Sequence, residues 1–101
     1  MAKYELPIYD MATEEITKTY GRNKIGVSLY LKYQQINEDL QGGKFKSDDE
    51  LFAALQDVVV ETFDGMTKAE YNEQTDPADV LNLYRTICNK GTLIYTGNSK
   101  N

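Results

Sequence analysis

The first twenty residues alternate between apolar and polar side chains with a period of two. In the stretch YELPIYD, the apolar positions are Tyr4, Leu6 and Ile8, and the stretch ITKTY repeats the alternation after a short polar connector. Runs of this kind, rich in Tyr, Ile and Thr, are typical of β-strands. The pattern predicts a β-hairpin over about residues 3–21. Proline lacks an amide donor, so Pro7 is expected at an open edge or a bulge.

After the hairpin, the apolar positions recur at helical spacing. This pattern predicts four helices, over about residues 28–41, 47–64, 67–74 and 77–90. The second helix has the broadest apolar face and is expected to lie at the centre of the core. The expected fold class is therefore mainly α with a small N-terminal β-hairpin, an α+β fold with about four helices around one core.

Capping residues support these helix boundaries. Ser47 and Glu50 fit the S-x-x-E capping box, and Thr67 and Glu70 fit a second one. The last helix is expected to end at Gly91, because glycine is the preferred residue just after a helix C-terminus.

The chain of 101 residues is expected to form one globular domain over residues 1–96, followed by a flexible polar tail over residues 97–101. No apolar run approaches the roughly 20 residues of a membrane helix. The first ten residues contain no apolar core of a signal peptide. Cytoplasmic localisation is therefore expected.

The composition offers little for catalysis. The chain has no histidine and a single cysteine, Cys88, which falls on the apolar face of the last predicted helix. The acidic run SDDE is explained by helix capping and does not match a calcium loop. No catalytic, cofactor-binding or metal-binding residues are expected, and an enzyme is not expected.

The net charge of −5 argues against a nucleic-acid partner, whose phosphates require a basic surface. The charge is unevenly spread. Residues 1–46 carry seven basic and six acidic side chains, a balance of +1, whereas residues 47–101 carry four and ten, a balance of −6. Two interpretations stay open: two solvated faces of different composition, or an electrostatically polar subunit that self-associates head to tail.

Two groups of residues are candidates for binding a protein partner. Leu93, Ile94 and Tyr95 form an apolar patch after the last predicted helix, which either folds back over the core or docks another chain. Tyr4 and Ile8 of the hairpin are the second group, because a lone hairpin must lie on the helices or pair with another chain.

Three long stretches carry a resemblance to a known family. They are YELPIYDMATEEITKTYGR, LYLKYQQINEDLQGGKFKSDDELFAAL and VVVETFDGMTKAEYNEQTDPADVLNLYRTI, followed by the short polar end GNSKN. In order and length, the chain resembles the small tail assembly chaperones of long-tailed phages and prophages of Gram-positive bacteria. The resemblance covers nearly the whole chain and rests on its overall pattern rather than on a catalytic motif.

The resemblance implies a non-enzymatic role. Members of this family bind and solubilise the tape measure protein, help to recruit tail tube subunits around it, and leave before the virion is complete. They act in the cytoplasm of the bacterial host. A frameshifted longer form is common in the family, which would give the polar tail the role of a linker. The alternative is a small acidic regulatory or inhibitor protein of a mobile element that binds a host protein.

Overall fold

The hairpin and the helices follow each other along the chain as the pattern predicts. The computed structural model describes the backbone of residues 2–99 and the side chains of residues 2–89. Its elements are β1 (Tyr4–Asp10), β2 (Glu15–Arg22), α1 (Val27–Gln41), α2 (Asp48–Thr62), α3 (Lys68–Gln74) and α4 (Pro77–Ser99). These elements confirm the predicted fold class, a mainly helical α+β fold with an N-terminal hairpin.

The two strands form an antiparallel sheet in which only β1 contributes fully buried side chains. Tyr4, Leu6 and Ile8 are buried, and the side chains of β2 are exposed apart from the half-buried Tyr20. The pairing register shifts after Ile8, because β2 contains one extra residue at that point. This β-bulge lies near the turn of the hairpin and leaves the rest of the ladder regular.

The core lies between β1 and the four helices. β1 packs on α4 and α3, α1 packs on α2 and α4, and α2 also packs on α3. The apolar faces predicted for α2 and α4 are the ones that point inward. The most deeply buried aliphatic side chains come from β1, α2 and α4 and are Leu6, Ile8, Leu55, Val59, Val80 and Ile87.

One polar pair lies inside this core. The Thr62 hydroxyl donates a hydrogen bond of 2.6 Å to the carbonyl of Val58. The Tyr33 hydroxyl is 2.7 Å from Thr62 Oγ1 and, since the threonine proton is already used, the tyrosine is the donor. Burial raises the pKa of Tyr33 well above its usual value, so the phenol stays neutral. The pair therefore satisfies both hydroxyls without a buried charge.

The two predicted capping boxes have different outcomes. The box of Thr67 and Glu70 is confirmed, with both reciprocal hydrogen bonds present at 3.0 Å. The box at the start of α2 is wrong, because the Ser47 side chain makes no capping hydrogen bond. Glu50 instead accepts from the backbone N–H of Lys46, one residue earlier than a capping box requires.

The end of α4 also differs from the prediction. The helix continues through Gly91 to Ser99, so the predicted end at residue 90 is wrong. A glycine inside a helix costs only about 1 kcal/mol relative to alanine, which does not by itself stop the helix. Residues 97–99 of the predicted flexible tail are thus helical, and residues 100–101 lie outside the described part of the chain.

Replacing Leu55 with alanine tests the position of the core. Leu55 is fully buried at the centre of α2, so Leu55→Ala should lower the free energy of unfolding by about 2–5 kcal/mol. Leu31→Ala is the matched control. Leu31 is 56% exposed on α1, and its truncation should change the stability by less than about 0.5 kcal/mol. Urea unfolding followed by circular dichroism measures the stability of both variants. Equal losses of unfolding free energy in the two variants would contradict the central position of Leu55 in the core.

Candidate functional site

The inner face of β2 carries long polar side chains that reach from the hairpin to the helices. Directly opposite residues in an antiparallel pair lie on the same face of the sheet. Lys18 pairs with Ile8, Tyr20 pairs with Leu6, and Arg22 pairs with the buried Tyr4. Lys18, Tyr20 and Arg22 therefore point toward the helices and surround the apolar residues of β1.

Glu70 of α3 joins two of these side chains. Its Oε1 atom accepts hydrogen bonds from the Tyr20 hydroxyl at 2.8 Å and from the Thr67 backbone N–H at 3.0 Å. Its Oε2 atom lies 2.7 Å from the Lys18 ammonium. The same ammonium lies 5.0 Å from the centre of the Tyr20 ring, a cation–π contact. We call Lys18, Tyr20, Thr67 and Glu70 the hairpin clasp.

The hairpin clasp fixes the charge of Glu70. The hydrogen bond from Lys18, followed by those from the Thr67 backbone and the Tyr20 hydroxyl, lowers the pKa of Glu70 to about 2. The same carboxylate raises the pKa of Lys18. A carboxylate that accepts three hydrogen bonds and has so low a pKa is a poor general base near neutral pH. Its chemistry is that of an anchor for the hairpin.

Two further hydrogen bonds hold the hairpin elsewhere. The Tyr9 hydroxyl donates to Asp79 Oδ2 in the first turn of α4 at 2.9 Å, and this bond raises the pKa of Tyr9. One guanidinium nitrogen of Arg22 donates to the carbonyl of Thr62 at the end of α2 at 2.8 Å. The hairpin is thus connected to α2, α3 and α4 by separate polar contacts.

The single cysteine is a core residue. Cys88 is 5% exposed, and its Sγ lies 3.8 Å from the carbonyl oxygen of Tyr33. Burial raises the pKa of the Cys88 thiol to about 11. The thiol is therefore protonated at neutral pH, whereas the thiolate is the reactive form of cysteine. Burial likewise raises the pKa of Tyr71 and of Tyr84 to about 12.

The structure separates the two groups of predicted partner-binding residues. Tyr4 and Ile8 are 2% and 1% exposed, so their assignment to a partner surface is corrected: they belong to the core. They are buried because β1 turns its whole apolar face onto the helices. Leu93, Ile94 and Tyr95 belong to the helical backbone of α4, and their side chains lie outside the described part of the chain.

Several apolar side chains lie on the surface, where the sequence pattern did not place them. Val27 and Leu31, one turn apart at the start of α1, are 73% and 56% exposed. Met11 and Ile16 are exposed near the turn of the hairpin.

The described residues offer no assembled chemical centre. Within them, no three His, Cys, Asp or Glu side chains lie together as a metal site requires. An open groove of about 390 Å³ lies between β2 and the end of α2, lined by Tyr20, Gly21, Arg22, Thr62, Phe63 and Asp64. No helix in this part of the chain is both long and apolar enough to cross a membrane.

The chain matches no protein family, no curated protein and no solved structure.

Replacing Glu70 with glutamine tests the hairpin clasp. The folded-state pKa of Glu70 lies below its usual value of 4.5, so its contribution to stability is fully present above about pH 4.5 and is lost as the pH falls toward 2. Glu70→Gln should therefore destabilise the protein at pH 7, and the difference from the unchanged protein should shrink toward pH 2.

Urea unfolding at several pH values measures this difference. Glu73→Gln is the matched control, because Glu73 is an exposed carboxylate on the same helix. It should leave the pH profile of the unfolding free energy nearly unchanged. A pH-independent difference between Glu70→Gln and the unchanged protein would show that the Glu70 carboxylate does not hold the hairpin.

Proposed function

We propose that this protein is a tail assembly chaperone of a long-tailed phage or prophage, and that it binds and solubilises the tape measure protein. The structural observation that carries the proposal is the continuation of α4 to Ser99, well past Cys88, the last buried residue among the described side chains. The sequence resemblance supplies the identity of the client. Tail tube subunits, which the chaperone helps to recruit, are the second proposed partner.

The C-terminal part of α4 has the length and composition of a helix-binding segment. Residues 89–99 extend for about 16 Å, since an α-helix rises about 1.5 Å per residue. Ile94 lies seven residues after the buried Ile87, so the apolar face of α4 continues into this segment. Leu93 and Tyr95, its neighbours in the sequence, are apolar as well. A long helical client presents complementary apolar positions at the same spacing.

The acidic surface supports the solubilising role. The first turn of α2 exposes Asp48, Asp49 and Glu50, and the whole chain has a net charge of −5. A net charge well away from zero opposes aggregation of a complex that contains an aggregation-prone client. The client would then be covered along its apolar face while the chaperone keeps the complex dispersed in the host cytoplasm.

The states of the one thiol and of the Glu70 carboxylate favour a binding role over an enzymatic one. The Cys88 thiol is protonated at neutral pH, and the Glu70 carboxylate is engaged by three donors. The proposed action is therefore reversible protein binding, with no cofactor and no metal. Release of the client during assembly leaves the chaperone outside the mature virion.

Charged substitutions in α4 test the proposal. A tape measure protein gene is sought in the DNA next to this gene, and its product is co-expressed with the tagged chain and recovered by pull-down. The double variant Leu93→Asp, Ile94→Asp should recover less client by roughly tenfold or more, because charges replace apolar contacts at a binding centre. The matched control, Thr92→Asp with Thr96→Asp, adds the same charge to the same segment at positions about 200° around the helix from Ile94, and should bind as the unchanged protein does.

Circular dichroism shows whether each variant keeps its helices. Full client recovery by a folded Leu93→Asp, Ile94→Asp variant would overturn this binding segment. If the unchanged chain instead captures one basic host protein from induced cells as a discrete complex and no tape measure protein, the inhibitor alternative replaces the chaperone proposal.

A further inference from the structure

The outer edge of β2 is an open pairing surface. The hairpin is a two-stranded sheet, so β1 is the one strand neighbour that β2 has within the described residues. The eight residues of β2 include no proline, and every one of them keeps its backbone N–H. An edge of this kind is a template for another strand.

The position of Pro7 shows which backbone groups face this edge. Pro7 lies directly opposite Thr19 and has no N–H, so the two form a non-hydrogen-bonded pair. The neighbouring carbonyl of Ile8 points toward β2, because it accepts a 3.2 Å hydrogen bond from the Thr17 hydroxyl. In such a ladder the N–H and C=O of Thr19 point away from β1, toward the open edge.

The usual protection of an edge is weak on this strand. A lysine on an edge strand normally repels an approaching strand, but the ammonium of Lys18 is held 2.7 Å from Glu70. The bulge at Thr17 ends the regular ladder on one side, which leaves Lys18–Arg22 as a straight segment. Thr19 lies within this segment and is exposed.

We propose that a second copy of this chain pairs with β2 in antiparallel orientation about a twofold axis at Thr19. A twofold axis normal to a sheet places one residue opposite its own counterpart, and like charges directly opposite each other are destabilising. An axis at Lys18 places two lysines opposite each other. An axis at Tyr20 places Lys18 opposite Arg22 of the partner subunit. An axis at Gly21 centres the pair on two glycines, which weaken a strand.

The axis at Thr19 avoids all three problems. Thr19 of each subunit exchanges two backbone hydrogen bonds with Thr19 of the partner subunit, and Lys18 lies opposite Tyr20 of the partner subunit. The lysine already packs on the tyrosine ring of its own hairpin, so a lysine and a tyrosine are compatible neighbours on the inner face of the pair. The product is a four-stranded sheet with the order β1, β2, β2, β1.

This pairing makes a closed and weak dimer. A few paired residues bury less area than the roughly 800 Å² per partner of a standard interface, so the dimer forms only at high protein concentration. It differs from the head-to-tail array that the uneven charge would produce, because a twofold pair uses the β2 edge of each subunit and leaves neither β2 edge for a third copy. The proposal does not depend on the proposed client.

The oligomeric state of Thr19 variants tests the proposal. Sedimentation equilibrium of the unchanged chain should show a monomer–dimer equilibrium without larger species. Thr19→Lys places two charges at the axis and should raise the dimer dissociation constant by roughly tenfold or more. Thr19→Val, the matched control, keeps the N–H and the strand propensity and should dimerise as the unchanged chain does.

A disulfide across the axis tests the register independently. Residues in a hydrogen-bonded antiparallel pair have Cα atoms about 5.5 Å apart, within the range that a disulfide bridges. Thr19→Cys should give a cross-linked dimer under mild oxidation, whereas Thr13→Cys, in the exposed turn of the hairpin, should give far less. Two results of sedimentation would overturn the proposal for the unchanged chain: a monomer at high concentration, or open-ended oligomers that salt disperses. The proposal would also be overturned if Thr19→Lys dimerised as the unchanged chain does, or if the two cysteine variants cross-linked equally.

Discussion

The rest of the structure depends on the burial of one short strand. β1 directs Tyr4, Leu6 and Ile8 onto α3 and α4, and all three side chains are almost completely removed from solvent. Burying a large apolar side chain contributes about 1.5–3 kcal/mol, and a two-stranded hairpin alone is only marginally stable in water. Strand and helices therefore stabilise each other: without β1 the helices expose their inner faces, and without the helices the hairpin has no support.

The polar contacts around this apolar contact determine how the hairpin is oriented. Lys18, Tyr20 and Arg22 lie on the same face as the buried side chains of β1 and bind groups at the rim of the core. Because Lys18 and Tyr20 converge on one carboxylate of α3, the inner face of β2 is occupied while its backbone edge stays open. The proposed self-pairing follows from this division, since the side chains are anchored inward and Thr19 is left to face outward.

The sequence predicted the parts of the fold that depend on local periodicity. The alternation in β1 was sufficient to place the strand, and the broad apolar face of α2 was sufficient to place that helix and its inner side. The end of α4 was not predictable, because Gly91 lowers helix stability by a small amount that neighbouring residues can offset. The burial of Tyr4 and Ile8 was missed for another reason. Whether a strand covers a core or awaits a partner depends on tertiary packing, and periodicity is the same in both cases. The hairpin clasp joins residues about 50 positions apart, which no local pattern reveals.

Native-state hydrogen exchange of β1 tests the central claim most directly. If β1 is an integral part of the core, the protected amides of Leu6 and Ile8 exchange with the same opening free energy as those of Leu55 and Val59 in α2, near the global free energy of unfolding. A hairpin whose amides exchange through a separate opening of far lower free energy, while α2 stays protected, would contradict the account.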